Sequence, residues 1–117
     1  SAQQKFDLVT PDYYAQELKY QQVIDGQNNT NALGKLMQIN ELNSTIVIAL
    51  PTDANDIKGN IQFYRPNNAE LDFNLVLNGS GTITVPAAKI KSGHYKVKAT
   101  WTTGGKAYYD EQAWVAQ

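Results

Sequence analysis

The stretch "IKSGHYKVKATW", residues 90–101, decides how the rest of the chain is read. Successive side chains of a strand point to opposite faces. Tyr95, Val97, Ala99 and Trp101 therefore share one side of an extended segment, and His94, Lys96 and Lys98 share the other. That pattern describes a strand with one face in an apolar core and one face in water.

The same alternation extends in both directions. Upstream, Met37 and Ile39 alternate in "KLMQIN", and "STIVIAL" is a β-branched run closed by Pro51. Ile61 and Phe63 alternate in "NIQFYRP", and "LDFNLVL" puts Leu71, Phe73, Leu75 and Leu77 on one face. Asn78-Gly79-Ser80-Gly81 reads as a hairpin turn into "TITVP", with Ile83 and Val85 alternating. Downstream, "TTGGKAYYDEQAWV" follows across a Gly104-Gly105 turn. About seven short strands at roughly even spacing predict a mainly β fold, an antiparallel β-sandwich. Tyr95, placed just after a glycine turn at the start of a late strand, resembles the tyrosine corner of immunoglobulin-like sandwiches, whose hydroxyl satisfies backbone in the preceding corner. The chain has no cysteine, so Trp101 and the facing aliphatic residues must fill this immunoglobulin-like core by packing alone.

One segment breaks the period of two. In "TPDYYAQELKYQQVID", residues 10–25, Thr10 reads as a helix cap, Pro11 suits a first helical position and Asp12 suits the positive first turn. At about 100° per residue, Tyr13, Tyr20 and Ile24 share one face, and Tyr14 and Leu18 form a second stripe. The helix should fade through "DGQNNTN", where Gly26 and the asparagines favour turns. The wider face, with Tyr13, Tyr20 and Ile24, is expected to hold the helix against the sandwich. Asp12, Tyr14 and Leu18 are then the candidate partner-binding residues. Residues 1–34 are read as an N-terminal helical segment and 35–117 as the sandwich.

Composition narrows function mainly by exclusion. At 117 residues the chain is one domain, and ten Lys and Arg against eleven Asp and Glu give a formal net charge of -1. That balance supplies no basic stripe for nucleic acid. The absent cysteine removes disulfides, thiolate metal sites and cysteine nucleophiles. No apolar run reaches the roughly 18–20 residues of a membrane span.

The chemistry-bearing residues have plain structural explanations. His94 is the single histidine and Met37 the single methionine, too few for the three or four ligands of a transition-metal site. Ser44, Ser80 and Ser92 sit in turn-like contexts without a nucleophile elbow. Asp53 with Asp56, and Asp110 with Glu111, read as solvated pairs. "GSGT", residues 79–82, opens no helix and lacks the N–H cluster that cradles phosphate. Asn-x-Ser/Thr matches at Asn28, Asn43 and Asn78 matter only on a eukaryotic secretory route. The tyrosines remain: Tyr13, Tyr14 and Tyr20, and the adjacent Tyr108 and Tyr109, suit half-buried packing or a protein interface. No cofactor and no catalytic or metal-binding residue is expected.

The ordered set "FDLVTPDYYAQELKYQQVID", "ALGKL", "IQFYRPNNAELD" and "SGHYKVKATWTTGGKAYYDE" resembles the periplasmic part of the FixH family, in particular its Bacteroidetes-type members. The most specific piece is D-Y-Y-x(3)-L-x-Y-Q, met by Asp12, Tyr13, Tyr14, Leu18, Tyr20 and Gln21; the F-Y-R-P of 63–66 and G-K-x-Y-Y of 105–109 support it. The resemblance implies a periplasmic domain behind one N-terminal transmembrane helix just before residue 1. It further implies association with FixG, an iron-sulfur membrane protein, and FixI, a cation-transporting P-type ATPase, in maturing the cbb-type cytochrome oxidase. The family has no active-site motif to transfer, so the implied role is a non-catalytic accessory acting by protein contact on membrane partners. A solute- or carbohydrate-binding sandwich that uses Trp101, Trp114 and exposed tyrosines as stacking surfaces is the alternative.

Overall fold

The computed structural model describes residues 2–117, with side chains from Asp12 onward. One helix, α1 (Ala2–Asn31), precedes seven strands: β1 (Gln38–Leu42), β2 (Thr45–Ala49), β3 (Ile57–Tyr64), β4 (Phe73–Gly79), β5 (Thr82–Pro86), β6 (Gly93–Thr103) and β7 (Lys106–Ala116). They form two antiparallel sheets, ordered β1-β2-β5 and β4-β3-β6-β7. The protein is thus mainly β, an immunoglobulin-like sandwich with one N-terminal helix.

Turn chemistry fixes two hairpins, one long and one short. Gly104 and Gly105 both have positive φ, +58° and +75°, as a two-residue turn between twisted strands requires. They join β6 to β7 in an eleven-pair register from Gly93↔Ala116 to Thr103↔Lys106. Asn43, with φ of 56°, begins the shorter β1–β2 reversal; asparagine tolerates this conformation.

The core lies between the sheets. Ile46, Ile48 and Val85 face it from the three-stranded sheet, and Ile57, Ile61, Phe63, Leu77, Tyr95, Val97, Ala99 and Trp101 face it from the four-stranded one. Trp101 has no exposed surface and stacks on Tyr108, with ring centroids 5.4 Å apart. Phe63 stacks on Phe73 at 4.8 Å and meets Tyr95 and Trp114 edge-on. Leu50 and Met37, both buried, join this core beside the Gln38↔Ala49 pair of β1 and β2.

Three expectations are corrected. The helix does not start at Thr10: it runs from Ala2 straight through Thr10 and Pro11. An interior proline forfeits one helical hydrogen bond, at a cost of about 3 kcal/mol. Nor does it fade through "DGQNNTN"; it continues to Asn31 and ends over Gly34, at φ +70°. Gly26, Asn29 and Thr30 stay helical because they are the residues that dock on β7, and tertiary contact overrides local propensity. Finally, "GSGT" does not close a hairpin. Its flanking strands β4 and β5 belong to different sheets, so the segment crosses between layers, tied by Leu50 N–H donating to Gly81 C=O at 2.8 Å.

Candidate interaction surface on the N-terminal helix

Among the described residues, the helix is held by its last turns. β7 is an edge strand, and an uncovered edge presents unpaired N–H and C=O groups. Here Thr30 Oγ1 accepts the Tyr109 N–H at 3.1 Å and Asn29 Nδ2 donates to the Ala107 C=O at 2.7 Å. Thr30 is 1 % exposed and passes its own hydroxyl proton to the Gly26 C=O at 2.9 Å. The approach demands glycine at 26, because a Cβ there would lie 2.9 Å from Tyr109 Cβ and 3.0 Å from backbone of Tyr108 and Tyr109. Past the helix, Met37 continues along the same edge. Its N–H donates to Asp110 Oδ2 at 3.2 Å, its C=O accepts from Gln112 Nε2, and its side chain enters the core.

From Gln22 back to Asp12 the helix stands clear of the sandwich. Tyr13, Tyr14, Leu18 and Tyr20 are 62–69 % exposed, and every residue from Asp12 to Gln22 is exposed. Val23 and Ile24 are half-buried. Tyr13 and Tyr20 therefore do not hold the helix against the sheets; that part of the reading is overturned. The reason is geometric: a helical wheel identifies stripes but not where along its axis a helix touches its domain. From Asp12 to Gln22 the exposed rod spans about 15 Å at the usual helical rise. It displays Tyr14 and Leu18 together with Tyr13 and Tyr20, and Tyr13 lies edge-on to Tyr14 with ring centroids 6.4 Å apart. Asp12 stands among them, and Gln21 is tied to Asp25 at 2.9 Å.

A second constellation sits at the far end of β6. The Tyr95 hydroxyl accepts the Lys91 N–H at 3.0 Å, and the ring is 2 % exposed. Arg65 lies across it, 4.6 Å from the ring centroid, and donates to the carbonyls of Lys91 (2.8 Å) and Ser92. A Cβ at Gly93 would stand 2.6 Å from Arg65 Nη2. The Arg65 N–H in turn donates to Asp72 Oδ1 at 2.7 Å. This is a corner clamp with its donors committed to backbone, and it leaves no reactive group free.

The outer face of the four-stranded sheet is polar. Tyr109 donates to Glu111 Oε1 at 2.6 Å, and Lys96 Nζ lies 3.5 Å from Glu111 Oε2. The Tyr109 hydrogen bond, with help from Lys96 and Lys98, holds the Glu111 carboxyl below its ordinary value, while burial and the neighbouring carboxylate push the Tyr109 phenol up. Lys98 Nζ sits 4.6 Å over the Tyr64 ring. Elsewhere, Asp56 accepts from the Thr103 hydroxyl, which lowers its pKa. His94 is exposed on this outer face. Among the described residues, no three His, Cys, Asp or Glu side chains converge on a point, and no helix is long and apolar enough to cross a membrane. Of the two tryptophans, Trp101 is buried and Trp114 packs on Tyr95 and Phe63, with both centroid distances at 6.0 Å. A shallow cleft of about 640 Å³ lies between residues 33–38 and 49–53.

The FixH family model matches residues 1–115, essentially the whole chain. The chain belongs to the FixH family. No curated protein and no solved structure matches it. The FixH pieces quoted from the sequence now divide into two groups. F-Y-R-P and S-G-H-Y supply Phe63, Arg65, Gly93 and Tyr95 to the core and the corner clamp. G-K-x-Y-Y supplies the Gly105 turn, the Tyr108 stack on Trp101 and the Tyr109 contact with α1. D-Y-Y-x(3)-L-x-Y-Q alone has no role inside the domain, since its six defining residues are exposed. Sequence reasoning found that segment but missed Gly26, Asn29 and Thr30, whose composition signals helix termination, and Arg65, whose role depends on contact with a segment 26 residues away.

Proposed function

We propose that this FixH-family domain is a non-catalytic docking subunit that uses the exposed part of α1 to engage a membrane partner. The partners we assign are a FixG-like iron-sulfur protein, a FixI-like P-type ATPase or subunits of the cbb-type oxidase, with the domain acting during oxidase assembly at the periplasmic face of the inner membrane. The observation that carries the reading is the exposure of Tyr13, Tyr14, Leu18 and Tyr20 on a helix rooted by its last turns. Tyrosines with apolar bodies and polar tips remain tolerable in water and become strong anchors once a partner covers them. Tyr14 and Leu18, with Asp12, form the centre of the contact, and Tyr13 and Tyr20 widen it.

The carbohydrate-binding alternative loses its basis, because it needs an aromatic pair lining a groove and the two indoles are packed on core aromatics. The test is complementation. In cells lacking the native gene, Tyr14→Ala with Leu18→Ala should reduce assembled cbb-type oxidase while the purified variant keeps the wild-type melting temperature. Normal oxidase levels with that variant would reject the docking role.

A further inference from the structure

The sandwich has four edge strands, and they are not equally guarded. β7 is covered by α1 and Met37. β1 is five residues long and carries Glu41; β5 is also five and ends in Pro86. Short length, charge and proline are the usual defences of an open edge. β4, seven residues reading FNLVLNG, has no charge and no proline, and its only neighbour is β3.

The sequence of this edge is self-complementary. Asn74-Leu75-Val76-Leu77-Asn78 reads identically in both directions, so two copies aligned antiparallel about Val76 place Asn74 against Asn78, Leu75 against Leu77, and Val76 against itself. Asn74, Val76 and Asn78 are exposed, Val76 at 76 %, the largest exposure of any large hydrophobic side chain described.

The backbone is in phase with that pairing. The Tyr109 N–H and Ala107 C=O point off the β7 edge, toward α1. Tyr109 is opposite Thr100, Thr100 opposite Asn60, and Asn60 opposite Val76. In antiparallel sheets a residue whose N–H and C=O turn away from one neighbour bonds the other. Thr100 thus bonds toward β3 and Asn60 toward β6, which leaves the N–H and C=O of Val76, and of Asn74 and Asn78 two residues either side, directed to the open side. Those are the groups that a two-fold axis through Val76 would pair reciprocally.

We propose that the β4 edge is a homodimerisation site, where a second copy of this chain adds antiparallel through Asn74, Val76 and Asn78 to make a continuous eight-stranded sheet. β4 itself carries no charge; Lys58 reaches it from β3 to donate to Asn78 Oδ1, and Lys89 lies 6.0 Å from the Phe73 ring at its start, so no cation stands at the central Val76. The covered β7 edges, each with its α1, lie at the two outer ends of such a sheet. The dimer would present two helices on opposite margins. This inference does not depend on what the helices bind.

The test uses sedimentation velocity over a concentration series extending into the millimolar range, with charge and cross-linking variants. Wild type should show a monomer–dimer equilibrium. Val76→Lys should melt like wild type, its side chain being exposed, yet weaken association roughly tenfold or more, because it sets two ammonium groups opposite each other. An equimolar mixture of Val76→Lys and Val76→Glu should restore it. In this cysteine-free chain, Val76→Cys should form a disulfide dimer under mild oxidation at least tenfold faster than Thr84→Cys on the β5 edge, since the paired Cα atoms would stand roughly 5.5 Å apart. A monomer at every concentration, association untouched by Val76→Lys, or equal cross-linking at 76 and 84 would each overturn the proposal.

Discussion

Arg65 lies flat against Tyr95, its guanidinium carbon 4.6 Å from the ring centroid, and both side chains serve the same turn: Arg65 holds the carbonyls of Lys91 and Ser92 while the Tyr95 hydroxyl takes the Lys91 N–H. Tyr95→Phe leaves that N–H without its partner beneath a buried ring, and should cost about 1–3 kcal/mol. A cycle combining it with Arg65→Ala should show non-additivity of about 0.5–2 kcal/mol, as expected of residues sharing one network. Urea unfolding of the four proteins checks both values.

Replacing Gly26 by alanine would ordinarily stabilise a helix by up to about 1 kcal/mol. Here the added methyl meets Tyr109 Cβ at 2.9 Å and backbone at 3.0 Å, so the docked helix must lift. The expected outcome is faster hydrogen exchange at the Tyr109 amide, whose acceptor is Thr30 Oγ1. The slow amides of β3 and β6 should be unaffected.

Trp101 is fully buried, stacks on Tyr108, and its indole N–H has no hydrogen-bond partner. Trp101→Ala should therefore cost about 3–5 kcal/mol through the cavity it leaves. Trp101→Phe should cost distinctly less, since it retains an aromatic ring and removes an unsatisfied donor. Equilibrium unfolding of the two variants ranks them; equal losses would place the cost in something other than volume.

Acid should loosen the outer face of the four-stranded sheet through Glu111. Its folded-state pKa lies below the ordinary 4.5, chiefly because Tyr109 donates to it. The stabilisation is present above the unfolded value and disappears as pH falls through the lower folded one. Glu111→Gln should lower stability at neutral pH, where the carboxylate is ionised, and leave the most acidic region comparatively unchanged, so that this acid limb flattens, as followed by thermal melting from pH 7 downward.

The β part was legible because burial imposes a period of two on each strand, and Tyr95, Val97, Ala99 and Trp101 are indeed all buried on one face. The assignment of β4 and β5 to different sheets was not, because glycine-rich "GSGT" has the same local signature whether the chain reverses within a sheet or crosses between two. The helix is visible in the sequence, but its attachment is not. Gly26, Asn29 and Thr30 carry the chemistry of a helix end, and only contact with the free N–H and C=O groups of β7 makes them a docking face. For the same reason periodicity places Tyr13 and Tyr20 on a packing stripe, whereas among the described residues the contacts with the sandwich come from the last turns of the helix.

The central claim is that the exposed part of α1, and not the sandwich, meets the membrane partner. Site-specific photocrosslinking in cells assembling the cbb-type oxidase tests it most directly, with a photoreactive phenylalanine placed at Tyr14 or Leu18 on the helix and at Thr84 on the sandwich. The account predicts cross-links from Tyr14 and Leu18 to the FixI-like ATPase, the FixG-like protein or an oxidase subunit, and none from Thr84. Cross-links to those proteins from Thr84 with none from either helix position would contradict it.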